Sequence, residues 1–229
     1  MKTNEKFHQL ILSLLALVLI LIVVSSAASA STLKVGPKEK YKTIQKAVNA
    51  AKSGDTIKVS SGTYKEYVKV DKKVFILGTK YPKVDGFYYY GGSSGTINGF
   101  SIQKYGIGAA YDGGYPTVIR NNYFYNCGIS LIGHLMDDAI IMNNQIVGGT
   151  IYLNDNTGQT ITGNMISKSK VGLYLGDMGA DPTVTKNTFK SCKYGVYIYT
   201  DTYPGKLKKF SGNKYVNNKV NIGWGTDYL

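Results

Sequence analysis

Apolar and polar positions recur along this chain in a register far longer than one helix or strand. Val118-Ile119-Arg120-Asn121-Asn122-Tyr123-Phe124 is echoed by Ile140-Ile141-Met142-Asn143-Asn144-Gln145-Ile146 and by Thr160-Ile161-Thr162-Gly163-Asn164-Met165-Ile166. It returns as Thr183-Val184-Thr185-Lys186-Asn187-Thr188-Phe189 and as Lys209-Phe210-Ser211-Gly212-Asn213-Lys214-Tyr215. Each copy reads apolar, two spacers, Asn, one spacer, bulky apolar. An earlier copy, Ile97-Asn98-Gly99-Phe100-Ser101-Ile102, carries Phe100 where the others carry Asn. The marks at Phe100, Asn122, Asn144, Asn164, Asn187 and Asn213 are 22, 22, 20, 23 and 26 residues apart, so the repeat unit is about 22 residues.

A second phrase follows each Asn: Gly128-Ile129-Ser130-Leu131, Thr150-Ile151-Tyr152-Leu153, Gly172-Leu173-Tyr174-Leu175 and Gly195-Val196-Tyr197-Ile198, with Val220-Asn221-Ile222 as a looser copy. Alternation with a period of two marks short strands with one buried face. One such unit cannot bury that face alone. Copies stacked about 4.8 Å apart can, with backbone ladders between them and like side chains piled inside. The predicted fold is all-β, a single-stranded parallel β-helix whose repeat rungs run over residues 96–229.

Asn122, Asn144, Asn164, Asn187 and Asn213 read as a structural ladder. Asn tolerates the left-handed conformation of a sharp turn, and its amide both donates and accepts toward identical neighbours above and below. Upstream, residues 43–52 place Ile44, Ala47, Val48 and Ala51 on one helical face, and Gly54-Asp55 stop it. This helix is expected to cap the first rung. Strands are predicted near Tyr64 to Val70 and Val74 to Leu77, and Tyr88-Tyr89-Tyr90 with the following Gly91-Gly92-Ser93-Ser94-Gly95 reads as a bulging loop. The two cysteines test the register: Cys127 and Cys192 each lie five residues after an Asn mark, three rungs apart. That separation is about 14 Å, too far for a disulfide, so two free thiols are predicted.

Residues 1–30 read as an export signal: Lys2 and Lys6, an apolar run from Leu10 to Val24 broken only by Ser13, then Ala28-Ser29-Ala30. Cleavage after Ala30 is expected, with an uncleaved membrane anchor as the alternative. Either way residues 31–229, the β-helix domain, are expected outside the cytoplasm, secreted or on the cell surface. The whole chain carries 27 Lys and Arg against 14 Asp and Glu, a net charge of +13. Such a balance favours polyanionic partners. Outside a cell these are acidic polysaccharides, cell-wall polymers and lipid head groups. With no recognised nucleic-acid motif, a nucleic-acid partner is not expected.

Tyr41-Lys42-Thr43-Ile44-Gln45-Lys46-Ala47-Val48, through Gly54-Asp55-Thr56-Ile57 and Gly62-Thr63-Tyr64-Lys65-Glu66 to Ile76-Leu77-Gly78, resembles the opening of pectin-lyase-like right-handed β-helix proteins. The later rungs are similar to the degenerate repeats of that superfamily, which includes carbohydrate-binding and sugar-hydrolase proteins and the NosD-like proteins. The resemblance implies a right-handed coil with ligands along one parallel sheet. The matching sheet here is the second phrase, where Tyr152, Tyr174 and Tyr197 are expected to stack outward. Beyond those strands lie Asp155, Asp177 and Asp201, with Asp112 and Asp227 at looser matches. Aromatic faces beside carboxylates suit a sugar-binding groove, and Asp155 and Asp177 form a candidate Ca2+ site. A stabilising Tyr ladder with turn-forming Asp residues explains the same pattern.

Candidate catalytic residues are Asp155, Asp177, Asp201 and His134, since glycoside hydrolysis needs paired carboxylates across a cleft. His134 sits beside Asp137 and Asp138. Arg120, the one arginine, falls away from the expected groove. The pectin hydrolases of this fold carry paired Asp, a Gly-His-Gly and an Arg-Ile-Lys, and the methylesterases carry Gln-Asp and Asp-Phe signatures; none is present. The leading expectation is therefore a non-catalytic, exported β-helix that binds or organises polysaccharide or cell-wall polymer without a cofactor. The alternatives are a lyase or hydrolase on acidic polysaccharide and an adhesin-like structural spacer.

Overall fold

The computed structural model describes residues 30–109, 117–133, 138–154, 158–176, 182–199 and 209–226. Its strands coil into a parallel β-helix. The first face is a nine-stranded sheet of Thr32–Val35, Thr56–Val59, Val74–Gly78, Gly95–Asn98, Val118–Arg120, Ile140–Met142, Thr160–Thr162, Thr183–Thr185 and Phe210–Ser211. The second face holds Tyr123–Tyr125, Gln145–Val147, Met165–Ser167, Thr188–Lys190 and Lys214–Val216. The third holds Ile129–Ile132, Ile151–Asn154, Val171–Leu175, Tyr194–Tyr199 and Val220–Gly225. Three longer strands, Thr63–Val70, Lys83–Tyr89 and Ser101–Ala109, continue from the second face into the third and shift register where they bend. The stack thus begins at residue 32, upstream of the Asn repeat.

All pairings are parallel and in register with the sequence repeat. Ile119 pairs with Ile141, Ile141 with Ile161, and Ile161 with Val184. Phe124, Ile146, Ile166 and Phe189 form the same kind of column on the second face. All are buried. Each such side chain contributes about 1.5–3 kcal/mol of burial, and stacking supplies the neighbour that a single rung lacks.

The corner between the first and second faces holds the Asn ladder. Asn144 Oδ1 accepts from the backbone N–H of Asn122 at 3.0 Å and from its Nδ2 at 3.1 Å. Asn144 Nδ2 donates to the Ile119 carbonyl at 2.9 Å and to Asn164 Oδ1 at 3.0 Å. The same bonds recur from Asn164 to Asn187 and from Asn187 to Asn213. One detail differs from the sequence expectation. The left-handed residue is the one before the ladder Asn, as in Asn121 (φ 55°), Asn143 (φ 53°) and Lys186 (φ 56°). This leaves the ladder residue free to aim its amide inward, where its partners are.

The helix spans Ile44–Ala50, two residues shorter at its C-terminal end than expected, because Ala51 is extended. Thr43 caps it, and the Glu66 carboxylate accepts from the N–H groups of Ile44 and Gln45, both at 2.9 Å. Ile44, Ala47 and Val48 are buried against the first rung. Asp55 ties down the entry to the first strand, accepting from Ser31 N at 2.7 Å and Lys52 N at 2.8 Å. Tyr88 and Tyr89 are not in a loop but end the strand Lys83–Tyr89, since Phe87 and Tyr89 are completely buried and alternate with the half-buried Tyr88. Cys127 and Cys192 are both free and buried, as the register requires.

Candidate functional site

On the third face, one outward column carries the tyrosines. In register it reads Tyr88, Gly108, Ser130, Tyr152, Tyr174, Tyr197 and Gly223. Tyr152, Tyr174 and Tyr197 stack as the sequence predicts, with centroids 4.6 Å apart at 8° and 5.8 Å apart at 18°. Their exposure departs from expectation, for Tyr174 is 2 % and Tyr197 4 % exposed. Tyr174 is sandwiched between its two neighbours. Tyr197 meets Tyr194 edge-on at 5.3 Å and lies over Gly225, where a Cβ would collide with its hydroxyl. These two rings form a small outer cluster with Val171 rather than an open groove. Tyr152, half-buried, ends the stack and turns one face to open space.

The opening arises where the column is interrupted. Gly108 and Ser130 leave a gap between Tyr88 and Tyr152, three rungs or about 14 Å apart. The result is a cleft of about 500 Å³. Its upstream wall is aromatic: Tyr67 packs against Tyr105 at 4.7 Å and against Tyr88 at 6.1 Å, and Tyr105 is 50 % exposed. Its floor includes Gly128, Ser130 and Thr150. A Cβ at Gly128 would collide with the Thr150 carbonyl oxygen, so only glycine keeps this part of the floor flush.

Tyr105 reaches the wall because the strand Ser101–Ala109 bulges. Three residues, Gln103 to Tyr105, stand opposite the single Asp85, and Lys104 takes a left-handed φ of 90°. Lys104 Nζ lies 4.6 Å from the centre of the Tyr105 ring. Hydrogen bonding to Tyr105 raises the Lys104 pKa; Lys104 stands beside Tyr105 and does not itself line the cleft. Burial, then Tyr88 and Tyr105, push the Tyr67 phenol up as well. No described residue lining the cleft carries a carboxylate or an imidazole. An aromatic wall and a small-residue floor with hydroxyls suit a polyhydroxylated ligand.

Of the residues expected at a site, Tyr152 lines the cleft, while Tyr174 and Tyr197 support it from behind. Asp155, Asp177 and Asp201, with Asp112, Asp137, Asp227 and His134, lie outside the described residues, as does the candidate Ca2+ site. Asp138 is exposed. Tyr67, Tyr88 and Tyr105 were not anticipated. Alternation inward at Tyr64, Val68 and Val70 marks Tyr67 as outward, but the bulge that delivers Tyr105 has no sequence signature.

A family model described as "Periplasmic copper-binding protein (NosD)" matches residues 48–227, most of the chain. The chain belongs to the NosD family. No curated protein and no solved structure matches it. The NosD match agrees with the sequence resemblance and with an extracytoplasmic β-helix protein. No helix among the described residues is long and apolar enough to cross a membrane.

Copper favours thiolate, thioether and imidazole ligands. In this NosD family member Cys127 and Cys192 sit at equivalent positions three rungs apart, with Sγ 3.4 Å from the Ile102 carbonyl and 3.5 Å from the Lys190 carbonyl. Burial pushes both thiols up, away from the ligating thiolate. Among the described residues no three His, Cys, Asp or Glu side chains converge. The described residues do not fit a copper ion.

Proposed function

We propose that this extracytoplasmic β-helix binds polysaccharide or cell-wall polymer in the tyrosine-walled cleft of its third face. The observation that carries the reading is the interrupted tyrosine column. Gly108 and Ser130 open a slot between Tyr88 and Tyr152, and Tyr67 and Tyr105 line its edge. Ring faces cover the apolar faces of sugars, Ser130 and Thr150 offer hydroxyl partners, and Lys104, beside Tyr105, adds positive charge near the cleft. The net charge of +13 favours the same class of ligand. Export with cleavage after Ala30, and a glycan in place of a nucleic-acid partner, belong to this reading.

Affinity electrophoresis of the chain against neutral and acidic polysaccharides, with and without Ca2+, tests it. Retention with intact glycan is expected, weakened at least tenfold by Tyr105→Ala and Tyr67→Ala. Migration unaffected by every polysaccharide would remove the binding reading and leave a structural spacer. Cleavage of the glycan in the gel would replace it with the lyase or hydrolase reading.

A further inference from the structure

A second depression, of about 230 Å³, lies where the first and second faces meet. Tyr123, Gln145 and Met165 are consecutive members of one outward column on the second face. Gln145 therefore forms the floor between Tyr123 and Met165, which stand two rungs or about 10 Å apart. Tyr81 closes one end, its ring meeting that of Tyr123 at 4.7 Å and 67°. Asn121 and Asn143 line the corner side.

Three features set this slot apart from ordinary surface. Its apolar walls are open: Tyr81 is 45 %, Tyr123 43 % and Met165 46 % exposed, against the few per cent of Tyr174 and Tyr197. The turn presenting Tyr81 is strained, with Lys80 and Tyr81 both left-handed at φ 57° and 52°, a conformation that non-glycine residues adopt at a cost and that concentrates at functional positions. No lining side chain is charged, although the protein carries +13 overall. An anion has no partner here. Rings, a thioether and amides fit a neutral ring of hydroxyls, because aromatic surfaces cover its apolar face while amides donate and accept at its edge. The volume is below the range of about 300–1,000 Å³ typical of drug-sized ligands, so it suits one monosaccharide unit.

We propose that this corner slot is a second glycan subsite, taking one neutral pyranose unit against Tyr123 between Tyr81 and Met165, with Gln145 bonding its hydroxyls. It shares no residue with the third-face cleft and does not rest on that reading. Tyr125, 64 % exposed on the same strand, extends the platform toward the third face. The chain then engages a polymer at two separate places around its circumference.

The test uses the full chain in native gels containing hydroxyethyl cellulose, glycol chitin or polygalacturonate, with the cleft disabled by Tyr67→Ala and Tyr105→Ala together. Retardation by at least one neutral polymer is expected to persist in that background and to survive 0.5 M salt, where the Debye length is about 4 Å against about 30 Å in 0.01 M buffer. Adding Tyr123→Ala or Met165→Glu is expected to weaken it at least tenfold. Both positions point outward, so thermal midpoints should stay close to the parent. Loss of all neutral retardation in the cleft-disabled background overturns the proposal, as does retardation that neither added substitution changes or that salt abolishes. The unsubstituted parent, run beside it on polygalacturonate, reports on the cleft separately, so failure of one site is distinguishable from failure of the other.

Discussion

Two columns of side chains follow the same rung register, one inside the coil and one outside. From Asn122 to Asn213 the inner column is unbroken, each amide accepting from the rung above and donating to its neighbours. The outer column runs Tyr88, Gly108, Ser130, Tyr152, Tyr174 and Tyr197, broken in the middle. The difference follows from what each member does for the next. A buried amide without its partner is left unsatisfied, so a gap inside is costly. An outward ring without its neighbour exposes a face that water or a ligand can cover. A repeat therefore conserves its register internally and gains a site by interruption externally.

The largest effect is expected from breaking the inner column. Asn144→Ala removes the acceptor of the Asn122 N–H and the side-chain donor to the Ile119 carbonyl, while Asn122 Nδ2 keeps the Ile97 carbonyl and Asn164 Oδ1 keeps the backbone N–H of residue 144. At about 1–3 kcal/mol for each buried group left unsatisfied, a loss of roughly 3–5 kcal/mol is expected in urea unfolding; a change below about 1 kcal/mol would show that the ladder is dispensable. Next comes the covered part of the outer column. Tyr174→Ala should cost about 3 kcal/mol, as for other buried aromatic truncations, whereas Tyr152→Ala at the open end should cost about 1 kcal/mol. Equal losses at the two positions would erase the distinction between support and wall.

Closing the gap gives a third, sharper comparison. Ser130→Tyr extends the stack upstream from Tyr152, with an expected stability change within about 1 kcal/mol and glycan retention reduced by about tenfold, or 1.4 kcal/mol. Full retention with the gap filled would place the ligand elsewhere. The smallest effect concerns pH. Backbone N–H groups of Lys52 and Ser31 donate to the Asp55 carboxylate and hold its pKa below the ordinary 3.8. A depressed folded pKa contributes stability that is fully present above the ordinary value and is lost as pH falls through the folded one. The advantage of the parent over Asp55→Asn should be constant from neutral pH to about pH 4 and shrink below it, as read from thermal midpoints. Cleavage after Ala30 would turn the Ser31 donor into an α-ammonium and strengthen the pair.

Much of the fold was legible because its stabilising unit recurs in the sequence. Asn122, Asn144, Asn164, Asn187 and Asn213 announced the ladder, and Ile129, Ile151, Leu173 and Val196 announced the inner wall. The site was legible only in part. Tyr152 was found, but Tyr174 and Tyr197 were expected in the open, and alternation cannot tell an outward ring in solvent from one sandwiched by its neighbours. Tyr67 belongs to a rung before the marks begin, and Tyr105, though its rung is marked by Phe100, falls between the two strand phrases, where alternation sets no direction.

The sequence by itself determined the period, the inward positions of the Asn-marked rungs and the free state of Cys127 and Cys192, since all three follow from a spacing of about 22 residues and a fixed rise per rung. Tertiary structure alone decided which outward tyrosines a ligand can reach. Reach depends on how rings from different rungs lean across one another: the bulge at Gln103 to Tyr105 swings one ring over to Tyr67, and Gly225 lets Tyr197 lie flat. Those are three-dimensional packing outcomes, set by sterics between residues that no local pattern brings together.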